Sequence, residues 1–587
     1  MHKILGFYHK NKLPVDDRIS IALNHFMAYS FNSNIKTFKN DNLTLVTSSK
    51  DINEDLFKSK NYVIWYSGIL FPQIYPQKCE LSPEQQKIQY VLNDYEKKGD
   101  NAILDFNGKF NVFVHSLVKN EVKIYNDEFG FHPLFYFQDD STIVFSNDYE
   151  SILKFDNNQK YNIDTNAIIE YLLFGAPQNN KTFFNQIKMM PPGSLITINN
   201  KGLNIKRIFK PLKLSTSRKK IEYLASEYYN TFKEQLNLGL KWYPEIDITL
   251  TGGADTRMIL GAMDFEERQN RNFVTFASTY VNNDENQDIL ISKLLVNHYN
   301  LKHQVQYNNL YAIEFLNEQY FKKLLHYRDI LVSGYLGSES LRMKASFPNN
   351  ISEIVRSLIT NDEKIYNYYS DFLCPIPQEF DFKQKLNFAL DYLKEFINES
   401  LFEGISLNNL KQEILKSFDF INIPYSEVYF LNQLIFRSFF SRHCEGARSS
   451  MLMPCYVTQN LFTPFTDTKL LKIIWKISPN MLSSEENSLT YYIFKNHLPE
   501  LSKIPSNSHL GDHNNLILPK FSTGKHTINN ITVDYSEFEI FYNSKNFMHF
   551  EDIFKFENIN KHFIENNHPK NYIWKDLFIW LNYITNL

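Results

Sequence analysis

The chain has 587 residues, 43% hydrophobic and 22% charged, with 62 Lys/Arg against 65 Asp/Glu for a formal net charge of -3. That length supports two to four domains rather than a single barrel or sandwich, and the near balance of charge supplies no global field for nucleic acid or an anionic membrane. The four cysteines, Cys79, Cys374, Cys444 and Cys455, form no CxxC and no His/Cys cluster at ligand spacing, so neither a disulfide framework nor a zinc site is expected.

The opening MHKILGFYHKNK turns polar too early for a signal peptide, and no run reaches the roughly 18 apolar residues of a membrane span, so a soluble cytoplasmic chain is expected. Residues 1 to about 205 carry short β-rich runs: YVIWYSGILF (62–71), FNVFVHSLV (110–118), VKIYNDEFGFHPLFYF (122–137) and STIVFSN (141–147). Asn, Asp, Gly and Lys turns separate them, which predicts a mostly β layer with a few helices. From about 215 the texture changes to long helical runs, as in 217–243 and 488–498, with strand-like EIDITL (245–250) and FVTFAST (273–279) between them. A boundary is therefore expected near 205–215.

EIDITL, then TGGADT, then RMILGAM reads as strand, glycine turn and helix, which aims backbone amides and a helix N-terminus at one point and suits an anion. No lysine follows as in GxxxxGK[ST], and there is no GxGxxG. A plain Gly-Gly turn would read the same way in isolation.

The order of segments narrows the choice. TGGADTR, FVTFAST, the helix expected over DILISKLLVNHYNLKHQV (288–305) and DILVSGYLGSES (329–340) together resemble the pyrophosphate-loop ATPases of the asparagine synthetase family, whose loop reads Ser-Gly-Gly-x-Asp-Ser. Residues 87–137, with a Gly-x-Phe strand leading into NDEFGFHPLFYF, resemble the family's amidotransferase domain, and FFNQIKMMPPGSLITI closes it similarly. MLMPCYVTQNLFTPFTDTKLLKIIWKISPNM resembles the segment holding Pro-Phe-x-Asp before the last helices. The resemblance covers about residues 1–510.

It implies an α/β chain. An Ntn-hydrolase-like αββα domain would fill 1–208, and a mostly helical α/β PP-loop ATPase (adenine nucleotide α-hydrolase-like) synthetase domain would fill 209–587. It further implies an ATP-dependent ligase that activates a carboxylate as acyl-adenylate and transfers it to an amine or ammonia. ATP and Mg2+ are the implied cofactors, and a homodimer is allowed. Thr251, Gly252, Gly253, Asp255 and Thr256 would hold pyrophosphate and its magnesium, with Asp255 as metal ligand. Leu250, Ser278, Ser333 and Gly334 would line the nucleotide.

Departures from the pattern shape the expected chemistry. His2 stands where glutamine-using members carry a cysteine nucleophile, and Ser67, Gly68 and Ile69 replace the glutamine-binding Asn-Gly-Glu, so no glutaminase is expected. Tyr335 falls where β-lactam synthetases carry a tyrosine that helps deprotonate the attacking amine, with Glu339, Asp371 and Glu379 as candidate partners; a core tyrosine is the alternative. Ser338 replaces a magnesium carboxylate, leaving Asp255 and Glu339 as hard oxygen ligands. The family's adenylate lysine falls near Asn507, with Lys503 nearby as catalytic candidate or solvated lysine. Arg437, Arg442 and Arg448 would face a substrate anion or solvent, and the chain past about 510 resembles nothing further. Asparagine formation from free ammonia, amidation of a sugar acid and a nucleotide-binding pseudoenzyme remain open.

Overall fold

The computed structural model describes residues 3–10, 17–28, 34–49, 57–74, 82–155, 162–174, 177, 179–209, 217–277, 287–307, 331–334, 337, 341, 391, 393–402, 409, 461–474, 476–477, 488–506 and 553–559. The first part begins β1 (Lys3–His9), α1 (Asp17–Ala28), β2 (Asn34–Lys39), β3 (Leu43–Ser49), β4 (Phe57–Lys58) and β5 (Tyr62–Pro72). It continues α2 (Pro83–Lys98), β6 (Phe106–Ser116), β7 (Glu121–Asn126), β8 (Phe135–Gln138), β9 (Thr142–Ser146), α3 (Tyr149–Phe155) and α4 (Thr165–Phe174). β10 (Lys188–Met189), β11 (Ser194–Asn199) and β12 (Gly202–Arg207) complete it.

These strands form two six-stranded sheets, ordered β10-β8-β9-β1-β3-β2 and β12-β11-β7-β6-β5-β4. All their pairings are antiparallel. Alternation sends Ile4, Leu45, Val63, Trp65, Phe113 and Phe145 into the core between the sheets. Ile64, Leu70, Val112 and Val114 point the other way, onto Ile88, Val91 and Leu92 of α2. Leu5, Phe7 and Val144 meet Phe26, Ile152 and Ile168 of the remaining helices. The result is four layers, helix, sheet, sheet, helix. Ser82 starts α2 with a reciprocal capping box to Gln85.

One expected run is split. The stretch 122–137 becomes β7 and β8 because Asp127, buried between them, accepts from the amides of Phe110, Phe129, Phe131 and His132 at 3.3, 3.2, 2.9 and 3.1 Å. A side chain that takes this many backbone donors replaces ladder bonds with a turn.

The second part starts with α5 (Ile221–Trp242), whose buried stripe includes Leu224, Tyr228, Phe232 and Leu236. β13 (Asp247–Thr249), α6 (Ala254–Ala262), α7 (Phe265–Asn270), β14 (Asn272–Ala277), α8 (Gln287–Tyr299), β15 (Lys302–Tyr307), β16 (Leu331–Val332) and β17 (Leu461–Phe462) follow. α9 (Thr468–Ile474) and α10 (Leu489–His497) come later in the chain. The five strands make one sheet, β15-β14-β13-β16-β17, parallel throughout. The helix expected over 288–305 ends at Tyr299: Asn300 takes φ 51°, and the chain turns into β15.

The parts meet along the end of β5 and β6. The Tyr243 hydroxyl donates to the Leu70 carbonyl and accepts from its amide, both at 3.0 Å, and Trp242 Nε1 donates to the Pro72 carbonyl at 3.2 Å. Phe71 packs edge-on to Phe462, and Asn107 donates to Gln235 (3.1 Å) and to Asp467.

Candidate functional site

Strand order in the parallel sheet reverses at one place. From β13 the chain moves outward through β14 to β15, then returns to add β16 and β17 on the other side. The crevice beyond the carboxyl ends of β13 and β16 is therefore the topological switch point, where open α/β sheets bind ligands. Residues 250–256 leave β13 there, and Ser333 and Gly334 leave β16 beside them, with Gly337 close by.

Hydrogen bonds lock the two exits together. Thr249 Oγ1 donates to the Val332 carbonyl at 2.9 Å, and Thr275 Oγ1 donates to the Leu250 carbonyl at 2.8 Å. A Cβ added at Gly334 would lie 2.9 Å from Thr256 Cγ2, and one at Gly337 would lie 2.7 Å from Asp255 Cγ. Only glycine lets these loops approach so closely.

The loop's own amides have specific destinations. Thr251 N donates to Thr256 Oγ1 (3.1 Å), Gly252 N to Asp288 Oδ1 (2.8 Å) and Gly253 N to Thr251 Oγ1 (3.2 Å). α6 then begins from Gly253, which has no side chain to cap it, so the first amides of the helix have neither an intrahelical acceptor nor a cap from Gly253. An anion here would meet the start of α6, with Asp255 and Asp288 supplying carboxylates at its margin.

Arg257 fixes the floor of this site. Fully buried, it donates to the carbonyls of Leu501 (2.9 Å), Ile504 (2.5 Å), Pro505 (2.6 Å) and Gly252 (3.4 Å), and burial pushes its guanidinium down to about 10. Ser506 Oγ adds a bond to the same Gly252 carbonyl at 2.9 Å. The loop and the 501–506 segment are thereby one unit.

Of the expected site residues, the structure brings Leu250, Thr251, Gly252, Gly253, Asp255, Thr256, Ser333 and Gly334 together. Lys503 is 68% exposed, and its ammonium is held by Glu500 at 2.7 Å. His2, Ser278, Tyr335, Ser338, Glu339, Asp371, Glu379, Arg437, Arg442, Arg448 and Asn507 lie outside the described residues. Among the described residues no group of three or more His, Cys, Asp or Glu side chains is placed to hold a metal. Sequence reasoning missed Arg257 and Asp288. A lone arginine inside apolar RMILGAM and an aspartate at the start of α8 were the available signals.

In the first part, a set of buried polar groups gathers around Ser67 and Lys3. Ser67 lies 3.0 Å from His132 Nε2, Asn147 Nδ2 lies 3.3 Å from the same nitrogen, and Lys3 pairs with Asp148 at 3.1 Å with both buried. Ser67 and His132 are each about 1% exposed.

Residues 84–209 match the Glutamine amidotransferase domain family. A protein of Methanocaldococcus jannaschii named "Putative asparagine synthetase [glutamine-hydrolyzing] 2" is 22% identical over 224 residues, 36% of this chain. Both matches make the chain similar to asparagine synthetase-like amidotransferases. The match spans 42% of that relative's length. Two solved structures also overlap it loosely, at 10% identity and TM-score 0.25. Glutamine phosphoribosylpyrophosphate amidotransferase from B. subtilis, complexed with ADP and GMP, covers 56% of this chain and 70% of its own. A structure titled as the allosteric regulatory enzyme of purine biosynthesis covers 52% and 80%. No described helix is long and apolar enough to cross a membrane.

Proposed function

We propose that this chain is an ATP-dependent amide-forming ligase that adenylates a carboxylate and passes it to an amine or ammonia, with no glutaminase of its own. The observation that carries the reading is the approach of Gly334 and Gly337 to Asp255 and Thr256 of the 250–256 loop at the switch point. An uncapped helix start beside two carboxylates is the donor set that a magnesium-bound polyphosphate requires. Asp255 would hold the metal, and the first amides of α6 the phosphate oxygens. Magnesium, when bound, offsets phosphate charge during displacement at the α-phosphate.

This chain's residues divide the remaining work. Thr251 and Thr256, bridged at 3.0 Å between hydroxyls, hold the loop's turn. Asp288 keeps the Gly252 peptide oriented, and Arg257 with Ser506 pins its carbonyl inward, so the loop needs little reorganisation on binding. Tyr335 is proposed to take the amine's proton, with Glu339 beside it in sequence. Because position 2 is histidine, with neither thiol nor hydroxyl for an acyl-enzyme, nitrogen comes from a free amine or ammonia.

ATP–pyrophosphate exchange screened against amino acid and sugar-acid carboxylates tests the reading, alongside glutamine hydrolysis. Exchange with one carboxylate class and no glutamate release is expected. Exchange with none of them, or glutamate released in step with ATP turnover, would reject it.

A further inference from the structure

Strand β6 carries a polar ladder on the face it shares with Ser67, Ile69 and Phe71 of β5. The register sets Asn107 opposite Phe71, Lys109 opposite Ile69 and Asn111 opposite Ser67. Asn107 is engaged with Gln235 and Asp467, and Asn111 Nδ2 donates to the His132 carbonyl at 3.1 Å. Lys109, between them, is different. It is 8% exposed, and among the described residues its Nζ makes no hydrogen bond or ion pair, having only the Phe131 ring 5.7 Å away.

Its acidic neighbours are occupied. Asp127, the charge nearest in effect, is caged by four backbone amides. Asp467 accepts from Asn107 and from the amides of Lys469 and Leu470, and Glu128 faces Lys472 at 3.6 Å. His132 is turned to Ser67. A desolvated amine without a counter-charge is costly unless a ligand supplies one.

The space beside Lys109 is a narrow cleft at the junction of the two parts, with about 310 Å3 of empty space including its open mouth. Ile69, Phe71, Phe462 and Pro464 give it apolar walls, and Asn107, Gln235, Thr463, Thr466 and Asp467 line it beside Lys109. One cation in this wall balances one negative charge. A dianion would leave its second charge facing Asp467, which lines the same cleft.

We propose that this cleft is a binding site for a small monocarboxylate, anchored by the Lys109 ammonium. The site is separate from the 250–256 loop and does not depend on the ligase reading. Burial lowers Lys109 from its ordinary 10.5 to about 7, so binding draws a proton onto the amine and strengthens as pH falls.

Calorimetric titration of the full chain with acetate, against inorganic phosphate, tests this at pH 6, 7 and 8. Acetate should bind with proton uptake, and its affinity should fall by roughly tenfold per pH unit above about pH 7. Lys109→Met should abolish binding. Lys109→Arg, whose charge persists, should bind acetate equally at pH 6 and pH 8 without proton uptake. Melting curves of both variants establish that they fold. No acetate binding to the natural chain, binding that survives Lys109→Met, pH-independent binding by the natural chain, or tighter binding of phosphate than acetate at pH 8 would each overturn the proposal.

Discussion

Arg257 and Lys109 are both cations buried in the protein interior, and their surroundings could hardly differ more. Arg257 has four carbonyl acceptors drawn from two distant segments, and its guanidinium stays charged throughout the physiological range. Lys109 has an aromatic ring and an open cleft, and its ammonium is half lost near pH 7. A buried charge surrounded by oriented dipoles behaves as a structural rivet, whereas one left facing empty space is available to a ligand.

The comparison is broken most severely at Arg257. Arg257→Met strands the carbonyls of Leu501, Ile504 and Pro505 and should cost about 3–5 kcal/mol of stability in denaturant unfolding. A loss below about 1 kcal/mol would mean those carbonyls find water easily and that the rivet is weak.

Lys109→Met should do the opposite and stabilise. The lysine's folded value lies below its unfolded one, so between about 7 and 10.5 the unfolded chain binds more protons and the natural protein gains stability as pH rises. Its cost is complete below about pH 7 and gone above 10.5. Without carboxylates in the buffer, the variant should gain up to about 4 kcal/mol at pH 6, shrinking towards zero by pH 10.5. An unchanged melting temperature at pH 6 would show that the lysine is solvated.

Smaller effects separate the loop's supports. Asp288→Ala releases the Gly252 amide and should cost about 1–2 kcal/mol, while weakening pyrophosphate binding more than the stability loss explains. Asp288→Asn keeps an acceptor and should restore most of the stability. Ser506→Ala removes one bond to the Gly252 carbonyl that Arg257 also holds, so about 1 kcal/mol or less is expected by urea unfolding.

Local pattern made much of this molecule legible from sequence. The runs at 62–71, 110–118 and 141–147 are rich in β-branched and aromatic residues between turn residues and became β5, β6 and β9, and the Gly-Gly pair announced the turn between β13 and α6. Hidden features depended on partners remote in sequence. β15 was absorbed into a helical reading because Asn300 ends α8 through a backbone angle rather than a proline or glycine. The break after β7 turns on Asp127 collecting amides from both flanks. Arg257 reads as an oddity in an apolar helix until residues 501–505 are folded onto it, and nothing near Lys109 in sequence announces that its amine would face a cleft.

The ligase reading rests most directly on Asp255, at the junction of the two loops and without a core position to vacate. ATP–pyrophosphate exchange by Asp255→Ala, compared with the natural chain under a carboxylate that supports exchange, is the measurement that tests it. Loss of exchange by at least about a hundredfold with an unchanged melting temperature is predicted, as expected when a metal ligand is removed from a phosphate site. Exchange at the natural rate in the folded variant would contradict it.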